Sequence, residues 1–349
     1  MTDRFPEHEP QTATFRADLP RRRPLSRRTR MLIVGAVTGV LFTILAFAWV
    51  EIAWLSGLPK IPAADQLWSL NRAPGMTFLD RKGATIAIRG PSHGHRVALR
   101  DLPAYVPRAF LAAEDRRFYH HGPVDWLGVL RAAIADARAG AAVQGGSSLT
   151  QQLAKTLFLT PDRSLKRKVQ EAVLASQLSH KLSKDQILEL YLNRIYFGAG
   201  AYGVDAASEA YFNKPATALT LREAALLAAL PNAPSRLSSE IRVALARSHD
   251  MPAAVARSHT ILERMAKEGW IDPAVERDAL ATPPQLAPEP PEDEDFGYLL
   301  DLAQSQAADL AKGQAPDLVV QLSIDSGLQT TAAQVSRRVM EGPGRAAVV

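Results

Sequence analysis

The sequence predicts a mostly α-helical protein with a small β element, held behind one N-terminal transmembrane helix. Three observations carry that reading: residues 31 to 50 hold no charge, residues 103 to 280 keep apolar residues at helical spacing, and the strand-like runs at 77 to 89 are short. At 349 residues and 47% hydrophobic, the chain can bury one sizeable core and part of a second.

Residues 1 to 30 are rich in Pro and Arg without apolar periodicity, which predicts a disordered cytoplasmic tail. Eight Arg against four acids put +4 of the formal +5 in this tail, and the rest of the chain is close to neutral. No nucleic-acid motif accompanies the cluster, so nucleic-acid binding is not expected. Zero cysteines exclude disulfides and thiolate metal sites.

The run from Met31 to Val50 is uncharged over twenty residues, enough at ~1.5 Å per residue to span a ~30 Å hydrocarbon layer. The predicted anchor covers 31–54. Arg21, Arg22, Arg23, Arg27, Arg28 and Arg30 precede it and Glu51 follows, so the positive-inside rule puts the N-terminus in the cytoplasm and the bulk of the chain outside. Two other readings compete, a cleaved signal peptide with Ala46-Phe47-Ala48 as the cleavage site, or a buried core helix. The length of the run, with Trp49 and Trp54 placed as an interfacial belt, favours the uncleaved anchor.

A connector at 55–100 follows, in which Asp80-Arg81-Lys82-Gly83 splits two apolar runs as a hairpin turn. The main domain is predicted over 101–281. Ser183 with Gln186 and Thr220 with Glu223 are capping boxes, Gly140 and Gly269 mark helix ends, and Asp272-Pro273 opens a further helix. The segment 282–349 begins with a linker, since residues 282 to 295 carry five prolines and five acids; residues 317 to 335 then read as strand, turn and helix.

Two blocks carry chemistry. Residues 114 to 125 read E-D-R-R-F-Y-H-H-G-P-V-D. The apolar run Phe110-Leu111-Ala112-Ala113 before Glu114 can hold that carboxylate partly desolvated, which suits proton transfer near neutral pH. The bland alternative is an ion pair between Glu114 and Arg117. Residues 145 to 155 read G-G-S-S-L-T-Q-Q-L-A-K, a glycine turn and a capping box from Ser148 to Gln151. A helix N-terminus of this kind favours an anion such as phosphate. Together they point to a substrate that joins a sugar to a phosphate. On a helix from Leu165, Arg167 and Lys168 share a face with Glu171, either as a built cationic site or as a solvated helix face.

These blocks, with R-S-L-K-R-K-V-Q-E at 163 to 171 and I-L-E-L-Y-L-N-R-I-Y-F-G at 187 to 198, resemble the peptidoglycan glycosyltransferases of family 51, the N-terminal part of class A penicillin-binding proteins. The resemblance runs from about Leu79 to Ile271 and implies a lysozyme-like helical domain that polymerises lipid II. In that reaction the acceptor 4-hydroxyl attacks the donor anomeric carbon and undecaprenyl pyrophosphate leaves. The resemblance implies Glu114 as general base and Glu171 as its partner at the donor site. It assigns pyrophosphate contacts to Lys155, Arg163, Arg167 and Lys168. It places Asp115, Phe118, His121, Ser147, Ser148, Gln151, Gln152 and Asn193 around the substrate, although the glycines near Asn193 read as architecture and His121 more as a hydrogen-bonding residue than a proton donor.

The chain departs from the family pattern with Ser148 for Thr, Thr156 for Asn, and Gly122-Pro123 where His-x-Gly is usual. The proline makes the turn after His121 the sharpest departure. As to cofactors, the resemblance leaves open none, or Mg2+ or Mn2+ on the donor pyrophosphate. Its implied partners are lipid II, the growing glycan strand, the membrane and other cell-wall synthesis proteins, in a bacterial inner membrane. The helix from Trp126, with Leu127, Leu130 and Ile134, belongs either to a lobe that dips into the membrane surface or to the core. No S-x-x-K or K-T-G motif occurs, so a penicillin-binding transpeptidase is not expected within these residues. A lytic glycan hydrolase and a catalytically silent membrane scaffold are the competing functions.

Overall fold

The computed structural model describes residues 26–55, 57–72, 74–139, 146–160, 162, 164–247, 252–287, 296–311 and 317–340. The chain divides into two compact units, one ending at Ser56 and one starting at Gly57.

The first unit is helix α1, Arg27–Val50, prolonged by one π turn over Glu51–Leu55. Ser26 caps it by accepting from the Thr29 N–H at 3.1 Å. Arg27–Leu55 is long and apolar enough to cross a membrane, and its most apolar window is 0% buried. Its length and composition fit the predicted membrane anchor. The tail at 1–25 lies outside the described residues.

The second unit is mostly helical. Strands β1, Met76–Leu79, and β2, Thr85–Arg89, form the predicted hairpin. Asp80 builds its turn by accepting from the N–H groups of Lys82 at 2.8 Å and Ala84 at 2.9 Å. Then come α2 (Tyr105–Glu114), α3 (Trp126–Ala139), α4 (Leu149–Phe158), α5 (Leu165–Lys181), α6 (Lys184–Arg194), α7 (Val204–Phe212), α8 (Leu221–Ala229), α9 (Pro234–Arg247), α10 (Pro252–Lys267) and α11 (Pro273–Ala281). The predicted capping boxes at Ser183 and Thr220 are present, and Asp272 caps α11 with Pro273 in its first turn. Gly269 follows α10 with φ +69°, a stop that a left-handed glycine permits. Gly140 lies outside the described residues.

Helix α8 sets the centre. Every residue from Arg222 to Ala229 is buried, and its alanines let α2 and α10 pack closely on it. The polar start of α8 finds partners inside the fold: Arg222 donates to Ser258 Oγ at 2.8 Å, and Glu223 meets Lys214 at 2.7 Å. Leu153, Leu174, Leu178, Ile187 and Tyr191 fill the layer between α4, α5 and α6, each large side chain contributing about 1.5–3 kcal/mol by burial.

A second, smaller core differs from the sequence expectation. Strand β3 (Leu318–Gln321) pairs parallel to β1, giving the order β2-β1-β3, and Phe296 with Leu300 and Ala303 of helix α12 (Gly297–Ala311) packs against Phe78 and Ile86. Helix α13 (Ser326–Met340) follows β3. Thus part of the connector and part of the segment after 282 build one substructure. Arg89 meets Asp301 at 2.5 Å and Arg81 meets Asp325 at 2.7 Å across it. Helix α12 was not anticipated.

Candidate active site

A cleft of about 1090 Å³ opens where the end of α2, the start of α4 and one face of α10 converge. Glu114, the last residue of α2, lines it. Its Oε2 accepts from Gln152 Nε2 at 2.9 Å, and the Gln152 carbonyl accepts from the Tyr191 hydroxyl at 3.2 Å. The buried tyrosine therefore fixes which end of the amide faces Glu114. Burial, with the Glu114 and Asp115 charges nearby, pushes the Tyr191 phenol well above its usual range, so it stays a donor. Among the described residues Glu114 Oε1 accepts no hydrogen bond, and Arg257 Nη2 lies 3.7 Å from it. Among the described residues the alternative pair of Glu114 with Arg117 is not formed: Arg117 Nη2 faces Asp125 at 3.8 Å.

Asp115, the residue after α2, also lines the cleft. Its carboxylate bonds His121 Nε2 at 2.8 and 3.0 Å and accepts from the Leu149 N–H at 3.1 Å. This corrects one sequence inference. The α4 N-terminus does attract an anion, but the anion is the protein's own Asp115, and the Gln151 N–H is taken by Ser148 Oγ at 3.2 Å. Lys155 and Arg257 are side-chain cations that the cleft lining offers to an anion.

The departure at Gly122-Pro123 is absorbed locally. His121 Nδ1 contacts the Gly122 carbonyl at 2.6 Å, and the Ser148 hydroxyl donates to the Pro123 carbonyl at 2.5 Å. Proline lacks an N–H but keeps its carbonyl, and that carbonyl docks the turn onto the cap of α4. Thr156 lines the cleft and donates its hydroxyl to the Gln152 backbone carbonyl at 3.0 Å.

On α5, Glu171 is almost fully buried and accepts from Arg167 Nη1 at 3.1 Å and Lys168 Nζ at 2.5 Å. Lys168 also donates to Ser147 Oγ at 2.6 Å, which ties α5 to the cleft rim. Glu171, Arg167 and Lys168 are not among the described lining residues of the cleft; Lys168 meets its rim through Ser147. Lys155 is exposed and lines the cleft, as do Ser147, Ser148 and Gln152. Arg163 lies outside the described residues.

Of the other predicted site residues, His121, Phe118, Gln151 and Asn193 also lie outside the described lining of the cleft. Phe118 is fully buried, with the Lys184 ammonium 4.2 Å over its ring, so it supports the motif from below. Gln151 is buried and completes the capping box through the Ser148 N–H at 2.9 Å. Asn193 clamps the extended chain at Val97, accepting from its N–H and donating to its carbonyl, both at 2.9 Å. It does so beside Gly203, whose φ of +90° brings the backbone against the Asn193 carbonyl.

The cleft also contains residues that sequence reasoning passed over. Asn232, with its amide oxygen toward α10, accepts from both terminal nitrogens of Arg257 at 2.8 and 2.9 Å. Arg264 donates to the Ala112 carbonyl at 3.3 Å; burial lowers its basicity, as do Arg116 and Arg257, while Glu114 opposes them. The available signal was an arginine beside the α10 stripe Ala254, Ser258, Ile261 and Met265, where a charge is costly without a partner.

Among the described residues, Asp115, His121 and Asp125 are the one group able to offer three metal ligands, with ligating atoms within 4.8 Å of one another. They do not fit a divalent ion. Asp115 is already spent on His121 and Leu149, and Asp125 faces Arg117 and Arg131 at 3.8 and 3.6 Å. Glu171, near the cationic end, is likewise fully engaged.

Comparison with known proteins places this cleft within a matched region. The profile of the family described as Transglycosylase matches residues 82–266. Penicillin-binding protein 1A of Aquifex aeolicus is 40% identical over 248 residues, 71% of this chain and 33% of that protein. Penicillin-binding protein 1A of Escherichia coli is 42% identical over 213 residues, covering 61% and 24%. Penicillin-binding protein 1F of Bacillus subtilis is 37% identical over 276 residues, covering 76% and 37%. The chain thus spans about a third of these relatives or less. A crystal structure of penicillin-binding protein 1A from Haemophilus influenzae matches at 21% identity with a TM-score of 0.43, over 76% of this chain and 29% of that one.

Proposed function

Since the chain belongs to the transglycosylase family, we propose that it is a peptidoglycan glycosyltransferase that polymerises lipid II at a membrane. The observation that supports this most directly is a carboxylate, Glu114, with one oxygen oriented by Gln152 and the other free of hydrogen bonds, in a cleft that also presents Lys155 and Arg257. A general base needs an oxygen not already committed to a donor, and a departing pyrophosphate needs cations.

Glu114 takes the proton of the acceptor 4-hydroxyl as its oxygen bonds the anomeric carbon, and the electron pair of the breaking C–O bond leaves with undecaprenyl pyrophosphate. Lys155 and Lys168 receive the developing charge, with Glu171 holding Lys168 and Arg167 in place. Helix α1 anchors the chain, and the arginines before it put the N-terminus in the cytoplasm and the cleft outside.

Incubating the purified full chain with labelled lipid II should yield glycan polymer and free undecaprenyl pyrophosphate. Cleavage of purified glycan strands without use of lipid II would assign it to the hydrolases instead. Protease added to intact spheroplasts should digest the second unit, and its full protection would reverse the orientation.

A further inference from the structure

A second cavity, of about 490 Å³, lies behind the catalytic helix. Ala104, Pro107, Arg108 and Leu111 of the α2 segment line it at helical spacing, whereas Ala112, Ala113 and Glu114 line the cleft. The two cavities thus share one helix as a wall, and Arg116 borders both.

Its chemistry is sharply divided. The floor is apolar, built from Leu99, Leu102, Leu111, Leu188 and the Trp270 ring, while Arg100, Arg108, Arg116 and His120 stand around it and no lining residue is acidic. The Arg100 side chain is 88% exposed and that of Arg116 44% exposed. Acids occur only outside the lining: Asp101 is 3.7 Å from Arg100, Glu268 is 3.0 Å from Arg116, and Asp185 accepts from the Tyr119 hydroxyl at 2.8 Å. Arg108 donates one bond to the Trp270 carbonyl at 3.2 Å and is otherwise exposed.

We propose that this cavity is a docking site for an acidic peptide segment of a partner protein, one large apolar side chain seated on the Leu-Trp floor and flanking carboxylates on the arginines. Charge complementarity selects the occupant. The cations come from separate elements, the turn at 99–101, α2, and the turn after it, so they suit several carboxylates strung along a chain better than one compact anion. The cavity volume accommodates a large side chain with its neighbours. The site is distinct from the substrate cleft and does not depend on the proposed reaction.

The test uses the full chain in neutral detergent and fluorescein-labelled hexapeptides, two acids, two variable residues and two acids, with Leu, Phe or Trp at the centre. Fluorescence anisotropy at low ionic strength should show saturable binding of at least one peptide. Replacing the central pair with Ser should weaken it about tenfold or more, the worth of one buried apolar side chain. Arg100→Glu and Arg108→Glu should each weaken it several-fold, and Ala104→Trp, which fills the mouth, should do so without charge change. Retained melting temperatures identify variants that are folded. The proposal is overturned if no peptide binds, if the serine peptides bind as well as the apolar ones, or if folded charge-reversed variants bind unchanged. Equal displacement by glycerol phosphate would mark a lipid-headgroup site and overturn it too.

Discussion

Glu114 owes its orientation to contacts that begin at Tyr191, two side chains away, and this makes its role separable from that of Glu171. Glu114→Gln keeps size and the Gln152 contact but cannot accept a proton, so turnover of lipid II should fall by about 10²–10⁴ with folding intact. Retention of more than about a tenth of the activity would remove Glu114 as the base. Glu171→Gln acts otherwise. It leaves Arg167 and Lys168 without their anion and loosens the Lys168–Ser147 bond, so binding of the pyrophosphate-bearing donor should weaken along with turnover. The accompanying stability loss should be about 1–2 kcal/mol, discounted because Lys168 is partly exposed. A raised KM for Glu171→Gln, against an unchanged KM for Glu114→Gln, is the expected split. At this scale the sequence was legible for residue type and not for direction. Glu114, Gln152 and Lys155 point into the cleft, while Phe118, Gln151 and Asn193, from the same motifs, point into the protein. A motif records which residues recur at a spacing; the side a residue faces is fixed by packing.

The elements were legible where their signals are local. Capping boxes, the Asp-Pro helix start and the Asp80 turn each involve residues within four positions, so their hydrogen bonds are written in adjacent letters. Helix α12 and the parallel pairing of β3 with β1 were not, because their stabilising partners lie more than two hundred residues away. Glycine architecture near Asn193 falls between these cases: the sequence shows the glycines, and the structure shows why they are needed. Gly203 has φ +90°, and a Cβ there would lie 2.8 Å from the Asn193 carbonyl oxygen. Gly203→Ala should therefore cost about 1–3 kcal/mol from backbone strain alone, with the clash added. The measurement is a thermal melt of the full chain, where a fall of several degrees is expected. An unchanged melting temperature would mean that the Asn193 clamp on Val97 can yield without loss.

For the whole molecule, composition located the charge and the membrane helix, but it could not say whether the apolar start of α3 is core or surface. Trp126, Leu127 and Leu130 are exposed, at 73%, 57% and 57%, so that stretch is not core. Nor could it show how the central helices are joined by a titratable contact. Arg222 of α8 donates to Ser258 and lies 3.0 Å from His259 Nε2 on α10, the helix that carries Arg257 into the cleft. A ring nitrogen facing a guanidinium must be the unprotonated acceptor. Burial, and then the Arg222 charge, hold His259 below its usual value of 6.5, with Glu263 opposing. The unfolded chain therefore binds this proton more readily than the folded one, so stability rises with pH across that interval. The contribution is fully present above about pH 6.5 and is lost as pH falls through the lowered folded value. Melting temperatures at pH 5 and pH 7.5 should differ, the acid value being lower. His259→Gln, whose amide oxygen can still face Arg222 but does not titrate, should reduce that difference. If the variant shows the same pH response as the parent chain, the acid sensitivity arises elsewhere and the α8–α10 joint does not respond to protons.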